Sequence, residues 1–89
     1  MPTFYFALWE GQRIKPDEHG VKLSGMGEAF EMAVRTAREM LANGRSKDED
    51  RSDWAFHVHD EHGRRLFTFR FTVAAIDLHY YPAWSRRGA

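Results

Sequence analysis

The sequence contains no cysteine among its 89 residues. This absence excludes disulfide cross-links, thiol nucleophiles, cysteine-based zinc sites and iron–sulfur clusters. It is typical of proteins that work in a reducing compartment, so we expect a cytoplasmic protein.

Long hydrophobic runs and an excess of one charge are also missing. Residues 3–9 form an apolar run, but Glu10 to Arg13 end it well short of the roughly 18 residues of a membrane span, and no basic segment precedes it. We expect a strand there, and neither a signal peptide nor a membrane anchor. Lys+Arg and Asp+Glu both number 13, so the net charge of zero disfavours nucleic acid and anionic lipid as partners.

The apolar and aromatic content, 43% and 15%, predicts one folded domain rather than a disordered chain. Strand-like residues 3–9, a turn at Glu10-Gly11 and a short strand at 12–15 predict a first hairpin. Residues 17–20 fit a type I turn, and 21–23 form a brief extended piece.

One amphipathic helix is predicted from Met26 to about Asn43, with Ser24 or Gly25 as its cap and Asn43-Gly44 as a left-handed stop. Its apolar residues recur at steps of three and four: Met26, Ala29, Phe30, Ala33, Val34, Ala37, Met40 and Leu41. Residues 45–53 are rich in charged residues of both signs and have almost no apolar content, so we expect a solvated, mobile connector.

A second hairpin is predicted from residues 54–60 and 66–73, which both alternate in polarity, with a turn at 61–64. Pairing Val58 with Phe67 would place the apolar residues of both strands on one face; a three-residue loop with a bulge at Gly63 would split them between two faces.

These elements predict a single α+β domain over residues 1–78, with an aromatic and basic C-terminal tail at 79–89. The expected architecture is an antiparallel sheet of three to four strands from two hairpins, with one α-helix packed on one face, in the order ββαββ.

The first strand is apolar on both faces, and one helix covers only one of them. We expect a second copy of the chain, or the tail, to cover the other face, and a homodimer to result. The predicted interface residues are Tyr5, Ala7, Trp9, Tyr80, Tyr81 and Trp84.

The histidines suggest a metal site, because His57 and His59 point to the same face of a strand. A zinc site needs a third protein ligand, which could be His62, His79 or a residue of another subunit. The alternative is a solvent-facing polar row on a half-buried strand.

The tetrapeptide Asp-Glu-His-Gly occurs at 17–20 and 60–63. It could form two carboxylate–imidazole clusters, but turn chemistry explains most of it, since Asp accepts hydrogen bonds from its own turn and Gly adopts positive φ. The arginines and phenylalanines of 64–71 could form an RNA-binding strand, although core phenylalanines flanked by surface arginines fit better.

Residues 25–30 miss the third glycine of the dinucleotide fingerprint, and no nucleophile, base and oxyanion site come together. We therefore expect no enzyme and no cofactor.

The order of these motifs resembles a family of small bacterial proteins, domain of unknown function 6894. The resemblance is carried by Phe4-Tyr5-Phe6 with Gly11, by residues 17–23 before an Ala-rich helix, and by residues 54–58 and 60–64 with Leu66. It spans roughly residues 1–75 and implies a compact α+β domain without a known activity.

The expected function is a non-enzymatic cytoplasmic interaction or regulatory module that acts as a homodimer. The alternatives are a histidine-based metal or proton-linked site at His57, His59 and His62, and a nucleic-acid-binding or antitoxin-like sheet module.

Overall fold

The computed structural model describes residues 1–74. The elements, in chain order, are β1 (Thr3–Glu10), β2 (Arg13–Lys15), β3 (Val21–Lys22), α1 (Met26–Ser46), β4 (Ala55–His59) and β5 (Arg65–Arg70). The expected α+β class with one main helix between two hairpins is confirmed, and the two-residue strand β3 adds to it. The predicted domain end at residue 78 and the tail 79–89 lie outside the described residues.

The sheet is antiparallel, with the strand order β2-β1-β4-β5. β3 also pairs with β1, at Thr3 and Phe4, beyond the end of β2. The eight residues of β1 therefore give room for two short strands on one edge and for β4 on the other. α1 carries the chain from the one edge of β1 to the other.

The register of the second hairpin is the first of the two expected alternatives. Val58 pairs with Phe67 and Phe56 pairs with Phe69. A bulge between Val58 and His59 places His59 opposite Arg65, and Leu66 and Phe67 both pack against the core. The apolar residues of both strands other than Ala55 therefore share one face of the sheet.

The hydrophobic core lies between this face and α1. The helix contributes mainly small side chains, which let its backbone approach the sheet closely: Ala29, Ala33, Ala37 and Leu41. The sheet contributes larger ones: Phe4, Leu8, Phe56, Val58 and Phe69. No polar or charged residue among those described is buried, as expected where no partner would satisfy it.

The start of α1 agrees with the prediction and its end does not. Gly25 is the N-cap, and the backbone N–H and hydroxyl of Ser24 both donate to Glu28, at 2.7 and 2.8 Å. The predicted stop at Asn43-Gly44 is wrong, because the helix continues to Ser46. Gly44 instead permits a close approach: a Cβ there would lie 2.7 Å from the carbonyl oxygen of Glu49.

Two further expectations are corrected in part. Residues 45–50 are exposed, as expected of a solvated connector, but Arg51 is packed: its guanidinium lies 4.7 Å from the Trp54 ring centroid and donates to the carbonyl of Met40 at 3.2 Å. The strand predicted to reach Val73 ends at Arg70, and the chain continues as a helical turn over residues 71–74 whose first residue, Phe71, is buried. Val73 is consequently 56% exposed.

The predicted apolar stripe of α1 is not buried along its whole length. Met26 and Phe30, near its start, are 50% and 47% exposed. Within residues 1–74, no helix has the length and apolar character needed to cross a membrane.

Candidate functional site

The sheet face that points away from α1 is the candidate site, and we call it the open face. The pairing of β1 with β4 places Tyr5 opposite His59, Ala7 opposite His57 and Trp9 opposite Ala55. These residues alternate with the buried ones, so they lie on the opposite side from the core. The predicted interface residues Tyr5, Ala7 and Trp9 are therefore together on this face, while Tyr80, Tyr81 and Trp84 lie outside the described residues.

Two aromatic–imidazole pairs form the centre of the open face. The rings of Tyr5 and His59 are stacked, with centroids 5.3 Å apart and planes 7° apart. The rings of Trp9 and His57 lie 4.3 Å apart at 40°. Ala7, between the two pairs along β1, is only 9% exposed, and Ile14, opposite Trp9, extends the apolar surface onto β2 with half its surface exposed.

Hydrogen bonds orient both imidazoles. Nδ1 of His59 lies 3.0 Å from the carbonyl oxygen of Asp60, and because a carbonyl only accepts, this nitrogen carries the proton. Nδ1 of His57 lies 3.2 Å from the hydroxyl of Thr68 on β5. The two side chains are thus held in place by an aromatic ring and a polar partner each.

The charged strand residues on the open face are positive. Burial lowers the pKa of His57 below its ordinary 6.5, and the guanidinium groups of Arg65 and Arg70 lower it further. Lys22, opposite Thr3, lies on the same face at its other end. None of the strand residues that the pairing places on this face is acidic, so no carboxylate on these strands opposes the burial and the two cations that favour the neutral form of His57.

The predicted metal ligands are only partly brought together. His57 and His59 share the open face, but His62 lies exposed in the turn between β4 and β5. Over residues 1–74, no group of three or more His, Cys, Asp or Glu side chains is placed to hold a metal ion. His79 lies beyond this range, and a metal site completed by it or by another subunit stays a prediction.

The repeated Asp-Glu-His-Gly tetrapeptides are turns, as their chemistry suggested. Asp17 accepts backbone N–H bonds from His19 and Gly20 with one oxygen and from Phe6 with the other. Asp60 accepts from His62 and Arg64. Burial raises the pKa of Asp17, but the three N–H donors outweigh it and the pKa is lowered; the N–H of Arg64 is the main cause of the lowered pKa of Asp60.

Both oxygens of Asp17 and one oxygen of Asp60 accept backbone N–H bonds, so these two aspartates serve the turns, as the turn interpretation expects. Gly20 adopts φ +70° and Gly63 φ +82°, as the turn interpretation requires. Gly20 also lies against the open face, since a Cβ there would be 2.7 Å from Cγ2 of Thr3 and 2.8 Å from Cε2 of Tyr5.

Phe67, Phe69 and Phe71 all lie on the core side of the sheet, and the last two are buried. Phe69 and Phe71 are 3% and 0% exposed, so they are not available to stack bases, in agreement with the preferred interpretation of residues 64–71. Sequence reasoning missed the side chains of Arg65, Thr68 and Arg70 as part of the open face. The alternation of β5 carried this signal at Thr68 and Arg70, whereas the bulge that places Arg65 there has no clear sequence signal.

Comparison with known proteins adds a family and no activity. No curated protein and no solved structure matches the chain. A match to the family described as domain of unknown function (DUF6894) extends over residues 3–72, the same region as the sheet and its helix, and the chain therefore belongs to this family.

Proposed function

We propose that the protein is a non-enzymatic, cytoplasmic interaction module that acts as a homodimer through its open face. One observation carries this proposal: α1 packs on one face of the sheet, and the other presents two aromatic–imidazole pairs and Ile14 to the outside. Partly exposed aromatic side chains held in fixed orientations are typical of interfaces between proteins.

A second copy of the chain suits this face. The net charge of zero adds no overall repulsion between copies. If the two-fold axis runs along the strands between two facing sheets, β5 of one copy lies over β2 of the other. This arrangement separates the Arg65 and Arg70 side chains of the two copies and brings their aromatic rings together.

Sedimentation equilibrium of the full chain tests the proposal. We expect a dimer for the wild type and a monomer for Trp9→Glu, because a carboxylate at this position would be desolvated in the interface. Arg35→Glu is the matched control, since Arg35 is exposed on α1, and it should remain dimeric. A wild type that is monomeric at all concentrations, or a Trp9→Glu variant that stays dimeric with unchanged circular dichroism, contradicts the proposal.

A histidine-based site is the second candidate, favoured by the common orientation of His57 and His59 on the open face. Isothermal titration of zinc into the wild type and into His57→Ala tests its metal form. Zinc binding that is lost in the variant supports it, and the absence of zinc binding to the wild type ends it. A proton-linked form depends on the titration of His57 and is tested by the pH prediction in the Discussion.

A nucleic-acid-binding sheet is the third candidate, favoured by the cations Lys22, Arg65 and Arg70 beside partly exposed rings. A gel shift with single-stranded oligonucleotides at increasing salt tests it. We expect the shift, if this candidate holds, to weaken steeply with salt and to disappear in Arg70→Glu. No shift at low salt contradicts this candidate.

A further inference from the structure

The outer edge of β5 is a second surface, which borders the open face and shares Arg65, Thr68 and Arg70 with it. β5 is the last strand in the sheet order, and within residues 1–74 no strand pairs with its outer side. Its six residues therefore leave a row of backbone N–H and C=O groups that another strand could pair with.

An apolar groove runs beside this edge, between α1 and β5. It has a volume of about 510 Å³ and is lined mainly by Met26, Phe30, Leu66 and Phe67. The ring of Phe30 lies 5.9 Å from that of Phe67 and 5.5 Å from that of Phe69, yet Phe30 stays 47% exposed. The apolar layer of the core therefore continues outward to the edge without being closed.

A second concavity, of about 620 Å³, reaches the same strand from its other side. It includes Thr68 and Arg70 from the open face as well as Phe69 and Phe30 from the helix side. Since residues of both faces of β5 line it, the edge is accessible from the open face and from the helix side.

The charges at the edge determine which strand fits there. Arg65 and Arg70 stand at the two ends of β5 and are exposed, and Glu31 is the acidic residue that lines the groove. In a fully overlapped antiparallel pair, a second copy of β5 would place Arg65 opposite Arg70 of the partner at both ends, and like charges directly opposite destabilise a sheet. A strand with acidic ends and an apolar middle avoids this repulsion.

We propose that the edge of β5 binds an extended peptide segment of a partner protein as an additional strand. Acidic residues of the segment pair with Arg65 and Arg70, and an apolar side chain enters the groove beside Phe30, away from Glu31. Arginines on an edge strand can also serve only to prevent unwanted pairing. The two roles differ in outcome, because a purely protective edge binds neither acidic nor basic peptides.

Fluorescence anisotropy with a labelled synthetic peptide tests the proposal. The probe alternates valine and threonine and has two glutamates at each end. One control peptide has lysines in place of the glutamates, and another carries N-methyl groups on alternate backbone nitrogens. We expect the wild type to bind the probe at least about tenfold more tightly than either control, because the first reverses the charges and the second removes the strand hydrogen bonds.

Variants locate the binding on the protein. Arg65→Glu/Arg70→Glu should weaken probe binding about tenfold and strengthen binding of the lysine peptide. Phe30→Ser should weaken probe binding to a similar extent by opening the groove to water. Arg35→Glu, on the exposed surface of α1, should change the affinity by less than about twofold. Circular dichroism checks the fold of each variant. The N-methylated peptide is tested on the wild type, so its result does not depend on whether a variant folds.

Equal affinity for the probe and for the lysine or N-methylated peptide overturns the proposal, as does the absence of binding to the wild type. A wild-type dimer that Phe30→Ser dissociates, while Trp9→Glu leaves it intact, would assign the edge to a second copy and also overturn it. Peptide binding at the edge of β5 does not depend on a dimer through the open face. A monomeric wild type that binds the probe therefore supports peptide binding at the edge and contradicts the proposed dimer.

Discussion

The two faces of the sheet are built from the same strands and differ in almost every physical property. On β4, Phe56 and Val58 point to α1 and are 4% and 0% exposed, whereas His57 and His59 point to the open face and are half-buried. The covered face contains no buried polar or charged residue among those described. The open face combines aromatic rings, imidazoles and cations.

This difference separates two tasks. The covered face provides the apolar burial that a domain of this size needs to fold. The open face is tied to the fold through Ala7 and the aromatic–imidazole pairs, but most of its side chains retain contact with water. It can therefore carry binding residues that would be too costly to bury in the core.

The largest expected effect is a difference in stability loss between substitutions at two adjacent positions of β4. Phe56→Ala should lower the free energy of unfolding by about 3–5 kcal/mol, because it leaves a cavity under α1. His57→Ala should lower it by only about 1 kcal/mol, the value of a partly exposed aromatic pair. Urea denaturation of both variants measures the difference, and equal losses would mean that the two faces contribute equally to stability.

The second prediction compares the glycines of the two Asp-Glu-His-Gly turns. Both have positive φ, but only Gly20 lies against Thr3 and Tyr5, while a Cβ on Gly63 would meet nothing within 4 Å. Gly63→Ala should cost about 1 kcal/mol from backbone strain alone. Gly20→Ala should cost about 2–3 kcal/mol, because Tyr5 must also move. Thermal denaturation of the pair checks this; a smaller loss at Gly20 would show that the loop and the open face are not tightly packed.

A smaller change in the free energy of unfolding is expected for glycine substitutions in α1, the helix that covers the other face. A Cβ on Gly27, in the first turn of α1, would meet nothing within 4 Å. Gly27→Ala should therefore raise the free energy of unfolding by about 0.5–1 kcal/mol through helix propensity. Gly44→Ala, the matched change near the other end, should be destabilising because of the Glu49 carbonyl. Stabilisation by both, in urea denaturation, would contradict the close contact at Gly44.

The smallest expected effect is a pH dependence that belongs to the open face. The pKa of His57 is lowered in the folded protein, mainly by burial and then by Arg65 and Arg70, from an ordinary 6.5. The unfolded chain therefore takes up a proton at higher pH than the folded one does. The stabilising contribution of neutral His57 is complete above pH 6.5 and decreases as the pH falls below it.

The difference in free energy of unfolding between wild type and His57→Gln, measured from pH 7.5 to 5, isolates this effect. The wild type should lose stability relative to the variant at the acidic end. A constant difference over the whole range would mean that His57 titrates alike in both states.

Much of the fold could be predicted because local signals agreed with it. The alternation of β1 and β4 and the spacing of Ala29, Ala33, Ala37 and Leu41 depend on strand and helix periods alone. The end of α1 could not be predicted, because Gly44 looks like a helix stop but is needed for contact with Glu49, a relation between non-neighbouring backbone segments. Likewise, the alternation of residues 66–73 places Phe71 on the core face, but it does not reveal that the strand stops at Arg70 and a helical turn follows.

The candidate site could likewise be predicted from the sequence only in part. That Tyr5, Ala7 and Trp9 share a face follows from the two-residue period of a strand. Which histidine each ring contacts follows from the register between β1 and β4, and the neighbourhood of His57 and Arg70 follows from the register between β4 and β5.

The sequence by itself determined the α+β class, the absence of cysteine chemistry, the two turns and the two-faced character of β1, because each depends on composition or on residues a few positions apart. Only the tertiary structure decided the order of the strands, the positive surroundings of His57 and the open edge of β5. These depend on which distant segments become neighbours, and the packing of the whole core determines that. The strand register then determines which side chains lie next to each other on each face.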